Sequence, residues 1–222
     1  MPKNSPAGAS WTALADHVAP YPSEATGYTS TFLAALTDAR ALTGRDPVSG
    51  DRTGTDPVAL WAGSVVYLVL LEQIGKSLRP QGARKRVKGE RKLEKALRQF
   101  ASRGGGQKKE RQVLYALRCA FAHEYGLMNF GFSNHRLHAR VFVLDDDPST
   151  QTLVKWPRQN WDGNVTSISK KRFTKVNLVV LGDLVEEVVR SIRSYSNSGK
   201  LKSEISELEL QRRFVFVSTE SY

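Results

Sequence analysis

The sequence predicts a mainly α protein, a helical bundle made of residues 24–126 and 177–197 with a small β-hairpin element inserted before the last long helix. Three observations carry this. Apolar residues recur at spacings of three and four along five segments, the signature of helices with one buried face. The period falls to two only between about residues 135 and 176. One segment, Val58 to Leu71 in "VALWAGSVVYLVLL", is apolar on nearly every side, as expected of a helix in the middle of a bundle.

The first helix is expected over Glu24–Thr43, where Tyr28, Phe32, Leu36, Ala39 and Leu42 share a face and Gly44 stops it. "GRDPVSGDRTGTDP" is a loop, and Asp56 before Pro57 is a cap and first-turn pair for a second helix ending near Leu78. Its apolar run falls short of the roughly 18–20 residues that span a bilayer. Glu90–Ser102 forms an amphipathic helix with Leu93, Leu97 and Phe100 inward and its basic residues outward, ended by Gly104–Gly106. A fourth helix runs from about Lys108 to Tyr125 with Val113, Leu114, Leu117 and Phe121 inward and Gly126 as terminator.

"RLHARVFVL" then reads as a strand, "DDDPST" as a turn and "QTLVKW" as the partner strand of a hairpin, with "NVTSI" and "KRFTKV" as further strand candidates. Asn177 caps the last long helix, whose inner stripe is Leu178, Leu181, Val185, Val188, Ile192 and Tyr195. The tail "SEISELELQRRFVFVS" suggests a short helix followed by a strand. The expected organisation is a loose arm at 1–22, the bundle at 23–199 with its β insertion at about 135–176, and an extension at 200–222.

A chain of 222 residues, 40% hydrophobic and 25% charged, has the composition of one globular domain. Its single cysteine, Cys119, excludes an intrachain disulfide and every multi-cysteine zinc pattern and fits a reducing, cytoplasmic setting. The first residues lack the basic flank and apolar core of a signal peptide. No membrane association is expected. The charge is concentrated: Lys76–Gln112 holds fourteen Lys or Arg against three Glu, an excess equal to the whole chain's net +11. A local positive potential of this kind attracts polyanions, RNA foremost. Arg84, Lys85, Arg86, Lys88, Lys108, Lys109 and Arg111 are the candidate nucleic-acid ligands, against the plainer reading of a solvated basic loop.

In "YALRCAFAHEYGLMNFG", residues 115–131, Arg118 and His123 form Arg-x4-His, and Tyr125 extends it to Arg-x4-His-x-Tyr. This motif, at the end of a helix in an expected helical bundle, resembles the HEPN superfamily. The form with tyrosine is similar to the toxin half of HEPN and minimal nucleotidyltransferase pairs. The resemblance implies a metal-independent endoribonuclease, a toxin or defence factor, acting as a homodimer in which two such helix ends face one cleft. It implies catalytic Arg118 and His123, with Cys119, Glu124 and Tyr125 as supporting or modified residues, and a nucleotidyltransferase antitoxin that attaches AMP to Tyr125. Family members often carry a polar residue after the arginine, where this chain has Cys119.

The chemistry suits these residues. RNA brings its own nucleophile, the 2′-hydroxyl; histidine moves protons near neutral pH, and the planar arginine fork stabilises a pentacoordinate phosphate. No metal or cofactor is needed for that. On an ideal helix five residues turn through about 500°, which sets His123 about 140° from Arg118, so arginine's length, local unwinding or a second copy of the chain has to close the gap. The alternatives are a HEPN-like module that binds nucleic acid or nucleotide without cleaving it, and a protein interaction subunit. An Arg and a His at a helix end also serve structure alone, by bonding free carbonyls.

Other candidates are weaker. His135 and His138 stand three apart on a predicted strand and so on opposite faces, which argues against shared metal ligation. Asp145–Asp147 are explained by a turn. "SRGGGQKK" lacks the strand and the Lys-Ser/Thr ending of a phosphate loop. Trp156 and Trp161, beside Lys155 and Arg158, either stack on unpaired bases or pack in the core.

Overall fold

The computed structural model describes residues 14–18, 28–84, 87–101, 107–124, 126–130 and 139–217. Seven α-helices and eight short strands lie among them. The helix α3, Leu60–Ser77, is the axle: Tyr67, Leu68, Leu71 and Ile74 are fully buried, and α2 (Thr31–Leu42), α4 (Lys92–Phe100), α5 (Lys108–Glu124) and α6 (Leu178–Asn197) all pack against it. The apolar character around most of α3 is what this position requires.

Glycine decides how closely α4 crosses α3. A Cβ on Gly75 would stand 1.8 Å from the Lys92 carbonyl oxygen, so only glycine allows this approach. Lys95 departs from expectation: instead of facing solvent it is 3% exposed, with its ammonium donating to Gly75 O at 3.0 Å and paired with Glu204. A buried ammonium with a carboxylate and a carbonyl partner has its charge answered on the spot.

The first helix is shorter than its pattern suggests. Residues 28–30 form a strand, β1, paired antiparallel with β8 (Val215–Val217), and α2 begins only at Thr31. Tertiary pairing here overrides the helical spacing of the apolar residues. The helix α7, Glu207–Phe214, leads into β8, and Thr31 Oγ1 donates to Arg213 O at 2.7 Å. A second pairing joins β2 (Leu78–Pro80) to β7 (Leu201–Ser203). Leu201, Leu210 and Phe214 belong to the main core, so residues 201–214 are part of the same packed body. A short α1, Leu14–Val18, packs on α6.

Asn177 caps α6 as its side-chain chemistry predicts, its Oδ1 accepting from Val180 N at 2.8 Å. Inside α6, Glu186 is 1% exposed and meets Arg40 of α2 in a two-pronged ion pair of 2.6 and 2.9 Å, while the Tyr67 hydroxyl of α3 donates to it at 3.0 Å. Arg40 also donates to the carbonyls of Pro47 and Val48, which ties the 46–50 turn to the bundle. Burial and then the Glu186 charge raise the Tyr67 pKa.

The β insertion is not a hairpin. The strands β4 (Arg140–Asp145) and β5 (Val154–Lys155) do not pair with each other; β6 (Phe173–Asn177) lies between them, parallel to β4 and antiparallel to β5. With β3 (Met128–Asn129) at the edge, the order is β3-β4-β6-β5 in a four-stranded mixed sheet. Phe173–Asn177 wins the central place because β-branched Thr174 and Val176 face the bundle fully buried. "NVTSI" is a 3₁₀ turn, Val165–Ser167, rather than a strand, held by Asn164 Oδ1 accepting from Thr166 N. The "DDDPST" turn is as expected: Asp147 accepts from the Ser149 backbone N–H and hydroxyl, and these bonds hold its carboxyl below the usual range.

Among the described residues no helix is long and apolar enough to cross a membrane.

Candidate nucleic-acid cleft and the Arg118 helix

Every candidate catalytic residue lies on α5 or just beyond it. Val113, Leu114, Ala116, Leu117, Ala120 and Phe121 bury one side of this helix, and Gly126 N–H donates back to Ala120 O at 3.3 Å, closing its end. The half-buried side carries Arg111, Gln112, Tyr115, Arg118, Cys119 and Ala122. Arg111, Tyr115, Arg118 and Ala122 follow each other at spacings of four, three and four, so they form one stripe along the helix.

At the start of the stripe is a cleft of about 710 Å³ between α4, α5 and the loop before α4. Lys88, Lys108 and Arg111 line it, joined by Arg91 and Arg98, two cations that sequence reasoning had not singled out. The signal for those two was available, since both fall within the basic segment, but their convergence depends on how α4 packs against α5. Glu90 is held by Arg98 through two bonds of 2.5 and 2.9 Å. Glu94, 4% exposed, lies 3.4 Å from Arg91; burial raises its pKa, and Arg91 opposes that rise. Five cations against two carboxylates leave the cleft positive.

Arg84 and Lys109 are exposed but do not line the cleft. Lys85 and Arg86 lie outside the described residues, as does Tyr125.

Midway along the stripe the Arg91 guanidinium sits 4.4 Å from the Tyr115 ring centroid, a cation–π contact that joins the cleft to the middle of α5. The Tyr115 pKa is raised by burial first and by the neighbouring Cys119 thiol next. Cys119 therefore faces Tyr115, one turn back along α5.

At the end of the stripe Arg118 Nε stands 2.6 Å from Glu72 Oε2 of α3, with the two side chains 21% and 29% exposed. Glu72 had no signal in the sequence, because only the packing of α5 on α3 brings it there. The helix stays regular through Glu124, so the backbone of His123 remains five residues, about 140°, around the axis from Arg118. The side chains of His123 and Glu124 lie outside the description.

Beside this end, α3 presents a line of apolar residues to solvent. Trp61, 43% exposed, stacks on Phe121 at 5.3 Å; Val65 and Val69 follow at intervals of four, and Glu72 is three residues further. Val58, 84% exposed, precedes them.

Among the described residues no group of three or more His, Cys, Asp or Glu is placed to hold a metal ion. His135 and His138 lie outside those residues. The two tryptophans divide between the two readings: Trp161 is 4% exposed with Nε1 donating to Asn164 O, and Trp156 is 42% exposed.

Models of protein families, curated proteins and solved structures give no match to this chain.

Proposed function

We propose that this protein is a HEPN-like, metal-independent endoribonuclease that binds single-stranded RNA in the basic cleft and cuts it at Arg118 and His123. The observation that carries this reading is the continuous stripe on α5. It leads from Lys88, Lys108 and Arg111 past Tyr115 to Arg118, about 10 Å beyond Arg111 at 1.5 Å per residue, a span that an extended strand covers within two phosphate steps. Phosphates held by the cleft cations bring the next linkage toward Arg118, whose guanidinium steadies the charge of the phosphorane. His123 takes the 2′-hydroxyl proton or returns one to the leaving 5′-oxygen.

The divergence of Arg118 and His123 around one helix favours a site shared by two copies. The exposed apolar residues Val58, Trp61 and Val69, with half-buried Val65 between them, end beside Glu72 and Arg118 and support a dimer seam at that place. The cytoplasmic setting, which follows the single cysteine, and the role as a toxin or defence factor with a nucleotidyltransferase partner acting on Tyr125, which follow the motif, are parts of the same proposal.

The test is cleavage of single-stranded RNA in EDTA. His123→Ala is expected to abolish cleavage and leave the thermal unfolding midpoint within about 1 °C, as for a residue whose role is catalytic and not structural. Cleavage at the wild-type rate by that variant overturns the catalytic assignment. Salt-sensitive RNA binding by a wild-type protein that never cleaves would instead favour the non-catalytic binding module.

A further inference from the structure

The four-stranded sheet turns one face to α6 and the other away from the bundle, and the two faces differ in chemistry. Phe142, Val154, Thr174 and Val176 point inward and are buried. By the two-residue period, Val143, Lys155, Phe173 and Lys175 point outward, and all four line one open pocket. Val143 and Phe173 make an apolar floor there, in a pocket of about 540 Å³.

The walls come from the loop after β5 and the 3₁₀ turn Lys170–Arg172, which are held together by Gln159 N–H donating to Lys171 O at 3.0 Å. Trp156, just past the end of β5 and 42% exposed, borders the pocket at the sheet edge, with the Arg140 guanidinium, itself 3.5 Å from the Thr174 hydroxyl, 5.5 Å from its ring centroid. That distance is within cation–π range and steadies the indole. Lys155, Arg158, Lys170, Lys171 and Lys175 crown the pocket, and the Asp145 carboxylate, 2.9 Å from Lys175, answers one of them. Lys155 and Lys175 sit directly opposite each other across β5 and β6, and Asp145 offsets that like-charge contact only from the Lys175 side.

From this geometry we infer that the outer face of the sheet is a second nucleic-acid site, one that takes an unpaired base on Trp156 at the pocket edge and its flanking phosphates on Lys155, Arg158, Lys170 and Lys171. Single-stranded nucleic acid is the polyanion that offers a flat π-face at every phosphate step, which is what an exposed indole beside these cations complements. An acidic peptide complements the cations and leaves the indole and the apolar floor unmatched. The site is separate from the α5 stripe, and it stands whether or not Arg118 and His123 cleave.

The experiment uses the full chain and a short 2′-O-methyl oligouridylate, which lacks the 2′-hydroxyl nucleophile and so reports binding independently of cleavage. Titration is expected to quench tryptophan fluorescence. Trp156→Phe keeps a stacking ring but removes the reporter, so the affinity holds and most of the quench disappears. Trp156→Ala weakens binding about fivefold or more, the lower end of what one stacked base contributes. Lys170→Gln combined with Lys171→Gln lowers the salt slope by about 1.4, two phosphate contacts at about 0.7 each. A quench that survives in Trp156→Phe, or wild-type affinity in Trp156→Ala with an unchanged unfolding midpoint, overturns the site. Equal quenching by a short oligoglutamate would overturn its assignment to nucleic acid.

Discussion

Glu72→Gln separates a working Arg118 from a structural one. The Nε–Oε2 contact is 2.6 Å, with side chains 21% and 29% exposed. Two unit charges about 4 Å apart attract by about 1 kcal/mol in water and about 4 kcal/mol at an effective dielectric near 20. Partial exposure and salt put this pair near the lower figure. Glutamine keeps the shape and an acceptor and removes the charge, so unfolding free energy should drop by about 1 kcal/mol. If RNA phosphate engages Arg118, it competes with Glu72 for the guanidinium, and the same change should tighten binding by roughly fivefold.

Stability and affinity thus move in opposite directions. Urea unfolding measures the first, and anisotropy of a labelled 2′-O-methyl oligonucleotide the second. Arg118→Ala serves as the second arm of a double-mutant cycle: without the arginine, most of the gain from Glu72→Gln should vanish. An equal gain in the Arg118→Ala background would mean that Glu72 acts only as one more repulsive charge. Unchanged affinity would remove Arg118 from the RNA path.

Gly75→Ala should cost about 3 kcal/mol, seen as a lower urea midpoint at constant slope, because the new Cβ would lie 1.8 Å from a backbone oxygen of α4 that cannot swing aside. An unchanged midpoint would show that α3 and α4 separate freely. Asp183 makes a pH prediction: burial pushes its carboxyl up, but hydrogen bonds and charge from Arg52 and Arg45 outweigh that, and its folded-state pKa lies below the ordinary value. The unfolded chain therefore takes up the proton first, so the contribution to stability is present above about pH 4 and is lost as pH falls through the folded value. Asp183→Asn should flatten that acid limb, and a limb of unchanged steepness below about pH 4 would contradict this.

Local features were legible in the sequence where one element supplied its own reasons. The apolar stripe of α5, the Asn177 cap and the short helix and strand of the tail all came from residues within a few positions of each other. What depended on distant partners was not. Nothing near Val154 says that Lys175 rather than a residue of β4 will lie beside Lys155, so a turn between two apolar runs reads as a hairpin. Tyr28–Ser30 has a helical neighbour and still pairs with the tail as a strand. At the site, Arg118, Cys119 and the basic segment could be named from the motif and the charge. Glu72, and the stacking of Arg91 on Tyr115 that links cleft to motif, exist only through packing between helices.

The insertion of β6 between β4 and β5 sets an order of events during synthesis. While the chain has emerged only to about residue 160, β5 has no partner and β4 shows one long unsatisfied edge of amide and carbonyl groups. That edge is closed by the five residues Phe173–Asn177, which arrive immediately before the long helix that packs behind them. A nascent or prematurely ended product would thus carry an open, sticky strand next to helices that still lack the α6 side of their shared core, making this stage the one most in need of protection from self-association.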